Sequence, residues 1–392
     1  RPFLAMVEKV DDFYGKNLTY NWRYADPQSR SRTFSTALAA RANSASQFVQ
    51  PTLKRGHDYA TLQIDQETIV ASSKDAAAFL DARQSEVDGI LNVLANSLSR
   101  SLFRNGSGVI GQVSSGSTVG STSITLANVE DVVNFEVGMV LQASSNNPSD
   151  GTSPTLRSAG ATVTLVGVNR DTGVLTASGN WSTGIAAIAA GDYLLASGDG
   201  VGFSSTSNSS AVAGLDAWLP SSNPSSGENF FGVDRSADPT RLGGIRFDGT
   251  GMPIEEAFIK ASYRAFREQA QPRVGLVHPA QVSNLVLSLG TKVRYEDTTV
   301  ANVGFSSIVI QGAGGPIKIY ADKDCPNTTA YLLDMRTWKL HHMMPVPHLV
   351  TLGNVDGALQ EGAADAIQVR ARYWAQLACD APGYNVRVTL DP

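Results

Sequence analysis

Five histidines and two cysteines are the first places to look for chemistry in this chain, and their placing limits what they can do. No His or Cys stands between His57 and His278, so over half the length lacks the usual proton shuttles and soft metal ligands. His341 and His342 are adjacent, which on a strand sends them to opposite faces. His348 lies beyond Pro345 and Pro347, and no Cys or carboxylate joins the three at zinc-type spacing. Cys325 and Cys379 form no C-x-x-C pattern and no disulfide framework, which fits a reducing compartment. Gly312-Ala-Gly-Gly315 could in principle cradle a phosphate. It lacks the following helix and the Lys-Ser/Thr pair, and between two apolar runs it is hairpin-turn chemistry. Glu255 and Glu256 follow Pro253, where carboxylates complement the positive end of a helix. There is no H-E-x-x-H, G-x-S-x-G or Walker A sequence. The expectation is therefore no catalytic residue, no metal and no cofactor: not an enzyme.

Two charged groups remain. Arg23, Arg30, Arg32 and Arg41 are interleaved with Trp22, Tyr24 and Phe34. They could contact phosphates without reading bases, or pack on a neighbouring copy. Lys54, Arg55, His57 and Tyr59 fall in and just after an apparent turn, Lys-Arg-Gly-His-Asp at 54–58, and are expected to touch a neighbour.

The elements that must position these residues read as follows. Residues 47–71 look like a long hairpin, with Leu62 and Ile64 alternating against Gln63 and Asp65. A bare hairpin is marginal in water, so it needs a partner surface. Ser72 and Asp75 have the spacing of a capping box. Phe79, Val87, Ile90, Leu91, Leu94, Leu98 and Leu102 then make one helical stripe, closed by Asn105-Gly106. A helix over 75–103 would span about 43 Å. Gly89 inside it costs ~1 kcal/mol against alanine, so a kink or a close contact is expected there. From 107 to 200 the composition shifts to Gly, Ser, Thr and Val. Strands are expected at 123–126, 139–143, 161–168, 174–177 and 193–196, with Asn169–Gly173 as a hairpin connection. Residues 201–250 are poor in regular signals. Beyond them come helices starting at Pro253 and Pro279, with strands at 273–277, 308–311, 317–320, 330–333, 338–343, 367–373 and 384–390.

The bulk numbers agree with a folded chain of two or three lobes: 392 residues, 42% hydrophobic, 17% charged. A net charge of −5 excludes a dedicated nucleic-acid binder. No apolar run approaches the ~20 residues of a membrane span, and no signal peptide is visible.

The order of these elements resembles the HK97 fold of tailed-phage major capsid proteins. Val274-Gly-Leu-Val-His-Pro279, Gly304-Phe305, Gly315-Pro-Ile-Lys-Ile-Tyr320, Asp324-Cys-Pro326, Ala330-Tyr-Leu-Leu333 and Phe231-Gly-Val-Asp-Arg-Ser236 are similar to phrases of that group. The resemblance implies an α+β fold. Its parts would be an N-arm (1–46), an E-loop (47–73), a spine helix of the P-domain (74–106), an inserted small all-β domain (107–200), an extended connection (201–251), an A-domain (252–345) and returning P-domain strands (346–392). It implies a structural protein that builds pentamers and hexamers of an icosahedral head around double-stranded DNA. The partners would be further copies of itself, a portal, a scaffold and decoration proteins, with no membrane. Assembly would take place in the bacterial host cytoplasm and the product would be the virion. A scaffold supplied separately, or removed from in front of Arg1, is also implied. Some members of the family join a lysine to an asparagine of a neighbour, and Lys54 lies in the matching part of the hairpin. The rival expectations are an encapsulin-like compartment, another phage structural protein of tail or decoration type, and a hydrolase with a β accessory domain.

Overall fold

The computed structural model describes residues 1–43, 45–65, 67, 76–147, 153–200, 211–289, 295–296, 307–350, 358–360 and 365–391. The capping box at Ser72 and Asp75 and the phrase Gly304-Phe305 lie outside the described residues.

The long helix runs over Ala76–Ser101 and is about 39 Å long. The later part of the expected stripe faces inward, with Leu94, Leu98 and Leu102 fully buried and Ile90 and Leu91 packed at the margin of the same core, while the Phe79 side chain lies outside the described residues. The helix stops where the sequence places the stop. Gly106 has φ +85°, and the last turn is closed from outside, by Leu215 N on Leu102 O at 2.7 Å and Gly214 N on Arg104 O at 2.9 Å. A Cβ at Gly214 would lie 2.2 Å from Ser101 O, so only glycine lets the two backbones meet. Gly89 neither kinks against a neighbour nor touches one, since a Cβ there would have nothing within 4 Å.

The core beneath this helix also takes in the N-terminus. Phe3, Val7, Phe13 and Trp22 are buried in it, together with Trp218, Trp338 and Tyr373. Residues 1–25 are thus built into the body, unlike the free arm expected over 1–46. Their few apolar side chains are widely spaced, which hides the pattern in a sequence window. The later stretch stays outside the core: helix Phe34–Ala39 has no buried residue, and Phe34 is 81% exposed.

Of the hairpin expected over 47–71, residues 66 and 68–71 lie outside the described residues, and 47–65 makes three separate pairings. Gln47–Val49 pairs with Trp22–Ala25, and Thr52–Lys54 pairs with Asn17–Thr19. Gly56–Asp65 lies antiparallel to Ala366–Ala375 of the fourteen-residue strand Ala366–Cys379, through ten register pairs. Two features explain this. Pro51 cannot donate to a ladder and breaks the first half short. The alternation of 56–65 is matched in length by the long C-terminal strand.

That strand organises a six-stranded sheet with Glu8–Asp11, Trp338–His342, His348–Leu349, Ala358–Gln360 and Gly56–Asp65. A second, seven-stranded mixed sheet joins Ile245–Asp248, Val386–Thr389, Thr329–Leu333, Val274–Val277, Gly315–Ala321, Ser307–Gly312 and Tyr295–Glu296. Helices Ile254–Phe266 and Pro279–Leu289 cover it, and Phe258, Ala261 and Leu285 fill the layer between. Gly312 pairs directly with Gly315, so the glycine run is a tight turn between strands. Asn385 ties the two sheets together. Its Oδ1 accepts from Trp338 Nε1 and Asp334 N, both at 2.9 Å, and its Nδ2 donates to Thr337 Oγ1 and Ala381 O, both at 3.1 Å.

Residues 109–196 build a third sheet of six strands with its own core around Phe135, Leu175 and Trp181. Strands Val174–Ala177 and Tyr193–Ala196 fall on the expected residues; Val109–Gln112 was not foreseen. Gly173 (φ +67°) closes the expected hairpin, while Asn169 Oδ1 accepts from Asp171 N and Thr172 N.

The segment 211–244 seals the body with a buried arginine. Arg235 donates to Glu228, to Ala217 O at 2.9 Å and to Trp218 O at 3.3 Å, and its guanidinium lies 3.9 Å from the Phe230 ring centroid.

Candidate interaction surface

The strand Gly56–Asp65 alternates strictly, so its odd-numbered residues share one face with their partners opposite. His57 stands opposite Trp374, Tyr59 opposite Arg372 and Thr61 opposite Arg370. His57 and Tyr59 are exposed, Tyr59 by 58%. Trp374 Nε1 donates to Tyr59 Oη at 3.1 Å, and the Arg372 guanidinium lies 4.3 Å from the Trp374 ring centroid. The His57 ring sits 5.8 Å from that of Tyr59. Arg372 Nε is buried with no acceptor among the described residues. The result is a fixed, solvent-facing group of Tyr, Trp and Arg, the residue types that dominate energetic hot spots between proteins.

The four residues expected to act together at a hairpin tip therefore divide. His57 and Tyr59 belong to this face. Arg55 is turned inward: its Nη1 donates to Phe13 O at 3.2 Å and to Met343 Sδ at 2.9 Å. Lys54 is half-buried on a different strand, in register with Asn17. The expected turn at 54–58 does not form, because 52–54 and 56–65 belong to different sheets. Arg372 and Trp374 were missed. The signal was present as Arg370, Arg372 and Trp374 at strand period two, but nothing in the sequence said which strand would lie beside them.

Of the arm arginines, Arg23 pairs with Asp26 at the surface. Arg30, Arg32 and Arg41 are exposed and carry no ion pair among the described residues. Arg23 also borders a cleft of about 350 Å³ with Asp26, Arg241, Arg267, Glu268 and Asp380. Its three guanidiniums are matched by three carboxylates, so it has no surplus charge for an anion.

The three late histidines do not converge. His341 is buried between Asp12 Oδ1, 2.5 Å from its Nδ1, and the Tyr20 hydroxyl, in short contact with its Nε2. Burial and nearby carboxylates push the Tyr20 hydroxyl well above its ordinary range, so this relay fastens the N-terminal segment and does not activate a nucleophile. His348 stands on another strand opposite Arg372. Among the described residues no three His, Cys, Asp or Glu side chains are grouped to hold a metal, and no helix is long and apolar enough to cross a membrane.

No protein-family model matches the chain, and no curated protein matches it. Among solved structures it is similar to the capsid asymmetric unit of Cyanophage A-1(L), with a TM-score of 0.55 over 99% of this chain and 92% of that one, at 14% identity. The chain has the HK97-type capsid fold. Weaker likenesses extend to a chain of Mycobacterium phage Ogopogo (TM-score 0.44, 10% identity, 100% and 92% covered) and one of Gordonia phage Cozz (0.43, 11%, 99% and 86%). The fold assignment rests on the cyanophage comparison. Within the HK97-type fold, strand Gly56–Asp65 and the fourteen-residue strand together carry the aromatic–arginine face described above.

Proposed function

We propose that this chain is a major capsid protein of a tailed bacteriophage, assembling into pentamers and hexamers of an icosahedral head that contains double-stranded DNA. The observation that carries this is the likeness along nearly the whole length of both chains to a phage capsid subunit, at a TM-score of 0.55. In this reading 47–73 serves as the E-loop, 74–106 as the spine helix, 252–345 as the A-domain and 346–392 as returning P-domain strands. The all-β unit within 107–200 is an insertion, 201–251 is a connection, and the part of 1–46 that extends from the body is the N-arm.

The face made by His57, Tyr59, Arg372 and Trp374 supports contact with an adjacent copy. Its aromatic groups are already held in place, so little side-chain entropy is lost on docking. The arm carrying Phe34 and Leu38 has apolar groups that its own chain leaves in water. A second copy would cover them, with Arg30, Arg32 and Arg41 meeting either that copy or DNA phosphates. Each contact can be weak, because a subunit held at one edge meets the next at high effective concentration. A portal, a scaffold and decoration proteins are the further partners of this reading, and the host cytoplasm is the place of assembly. The chemistry described above needs no enzymatic step.

Negative-stain electron microscopy after size exclusion tests the proposal. Closed icosahedral particles, or pentameric and hexameric rings, are expected, and DNA inside particles from infected cells separates a virion from a cargo compartment. A homogeneous monomer that never assembles, even with a scaffold supplied, would refute it.

A further inference from the structure

The chain passes between the body and the all-β unit at 104–109 and at 197–200, and both stretches line the same small cavity. Asp199, just beyond strand Tyr193–Ala196, lines it with Asp58 of the neighbouring strand, Ser97 and Arg100 of the long helix, and Tyr373 of the long C-terminal strand. The packing is close. A Cβ at Gly108 (φ +83°) would fall 2.6 Å from Asp199 Cβ, and one at Gly56 would fall 2.7 Å from Val212 N. Ser97 Oγ donates to Asp58 Oδ2 at 2.5 Å.

Two carboxyl groups thus share a confined space at the root of the unit, and the cations beside them are engaged elsewhere. Arg100 Nη1 donates to Asn134 O at 2.8 Å, and Arg104 Nη2 to Asp131 Oδ1 at 2.8 Å. The remaining titratable groups facing the cavity are His57, exposed on the strand side, and the Tyr373 hydroxyl, which burial pushes well above its ordinary range and keeps neutral. Like charges at this distance from bulk water disfavour each other. Burial first, and then Asp58, push the Asp199 carboxyl up to about 7, with Arg100 pulling the other way.

We propose that Asp58 and Asp199 form a proton-operated joint: with Asp199 protonated the all-β unit seats against the long helix and strand Gly56–Asp65, and loss of that proton frees the unit to move on its two crossings. The seated form holds a proton that the open form releases. Opening therefore becomes easier as pH rises from the ordinary carboxylate range, and levels off above about 7.

Hydrogen exchange on the dispersed full-length chain, corrected for intrinsic rates, reads this directly. Protection of the amides at 56–59, 105–113 and 196–200 is expected to fall about tenfold per pH unit from pH 5 to pH 7 and then to level off. In Asp199→Asn it should be flat with pH. In Asp58→Asn the total fall should be smaller, because Asp199 loses its repelling neighbour. Protection independent of pH in the wild type, or an unchanged fall in Asp199→Asn, overturns the proposal. Should Asp199→Asn fail to fold, an unchanged fall in Asp58→Asn overturns it equally. Dispersed chains are used, so the result does not depend on whether the protein builds a shell.

Discussion

Arg235 and Glu228 pair side-on inside the protein, with Nε 2.9 Å from Oε2, and theirs is the one ion pair among the described residues in which both side chains are buried. The arginine also closes the carbonyls of Ala217 and Trp218, so it serves as the centre of segment 211–244. Glu228→Gln leaves the guanidinium in the core without a counter-charge. It should cost about 3–5 kcal/mol of unfolding free energy, read by urea titration of the dispersed chain. A loss below about 1 kcal/mol would show that the carbonyls and the Phe230 face suffice.

Gly89 has open space where a side chain would stand, inside a helix. Gly89→Ala should therefore stabilise the isolated subunit by about 0.5–1 kcal/mol, seen as a raised thermal midpoint. If particles then form less readily although the subunit is more stable, the space at Gly89 is used by a neighbouring copy.

Tyr59→Ala removes an exposed ring and the acceptor of the Trp374 indole. The subunit should lose less than about 1 kcal/mol, because the site is at the surface. The concentration at which particles appear should rise severalfold, followed by light scattering. An unchanged threshold would remove this face from the assembly contacts.

His278 is buried, and burial holds its imidazole below the ordinary value, against the pull of Glu130 and Asp131. The unfolded chain then takes up a proton before the folded one does. This group's contribution is present at neutral pH and is lost as pH falls below about 6.5. His278→Gln should flatten that part of the stability profile, measured by thermal unfolding between pH 5 and pH 7. The opposite slope would mean that Glu130 stabilises the charged ring.

What could be read in advance divides along a physical line. The long helix, the turn at Gly312–Gly315 and the strands at 174–177 and 193–196 depend on local periodicity and turn chemistry, so a short window carries them. The partner of 56–65 does not, because a strand's alternation gives its faces and is silent on which distant strand it meets. For that reason Tyr59 could be singled out while Arg372 and Trp374 could not. Arg55, expected to touch a neighbour, is bonded within its own chain for a related reason: only the tertiary fold brings Phe13 and Met343 to it. The buried N-terminal segment escaped because Phe3, Val7 and Phe13 are too far apart to make an amphipathic pattern.

The strand Ala366–Cys379 also has a mechanical meaning. At about 3.3 Å per residue it is a beam some 46 Å long, rooted where Ala375–Cys379 lie against Trp338–His342 and extending outward beside Gly56–Asp65. Tension along that beam loads its ten backbone pairs side by side, in shear, instead of peeling them one after another.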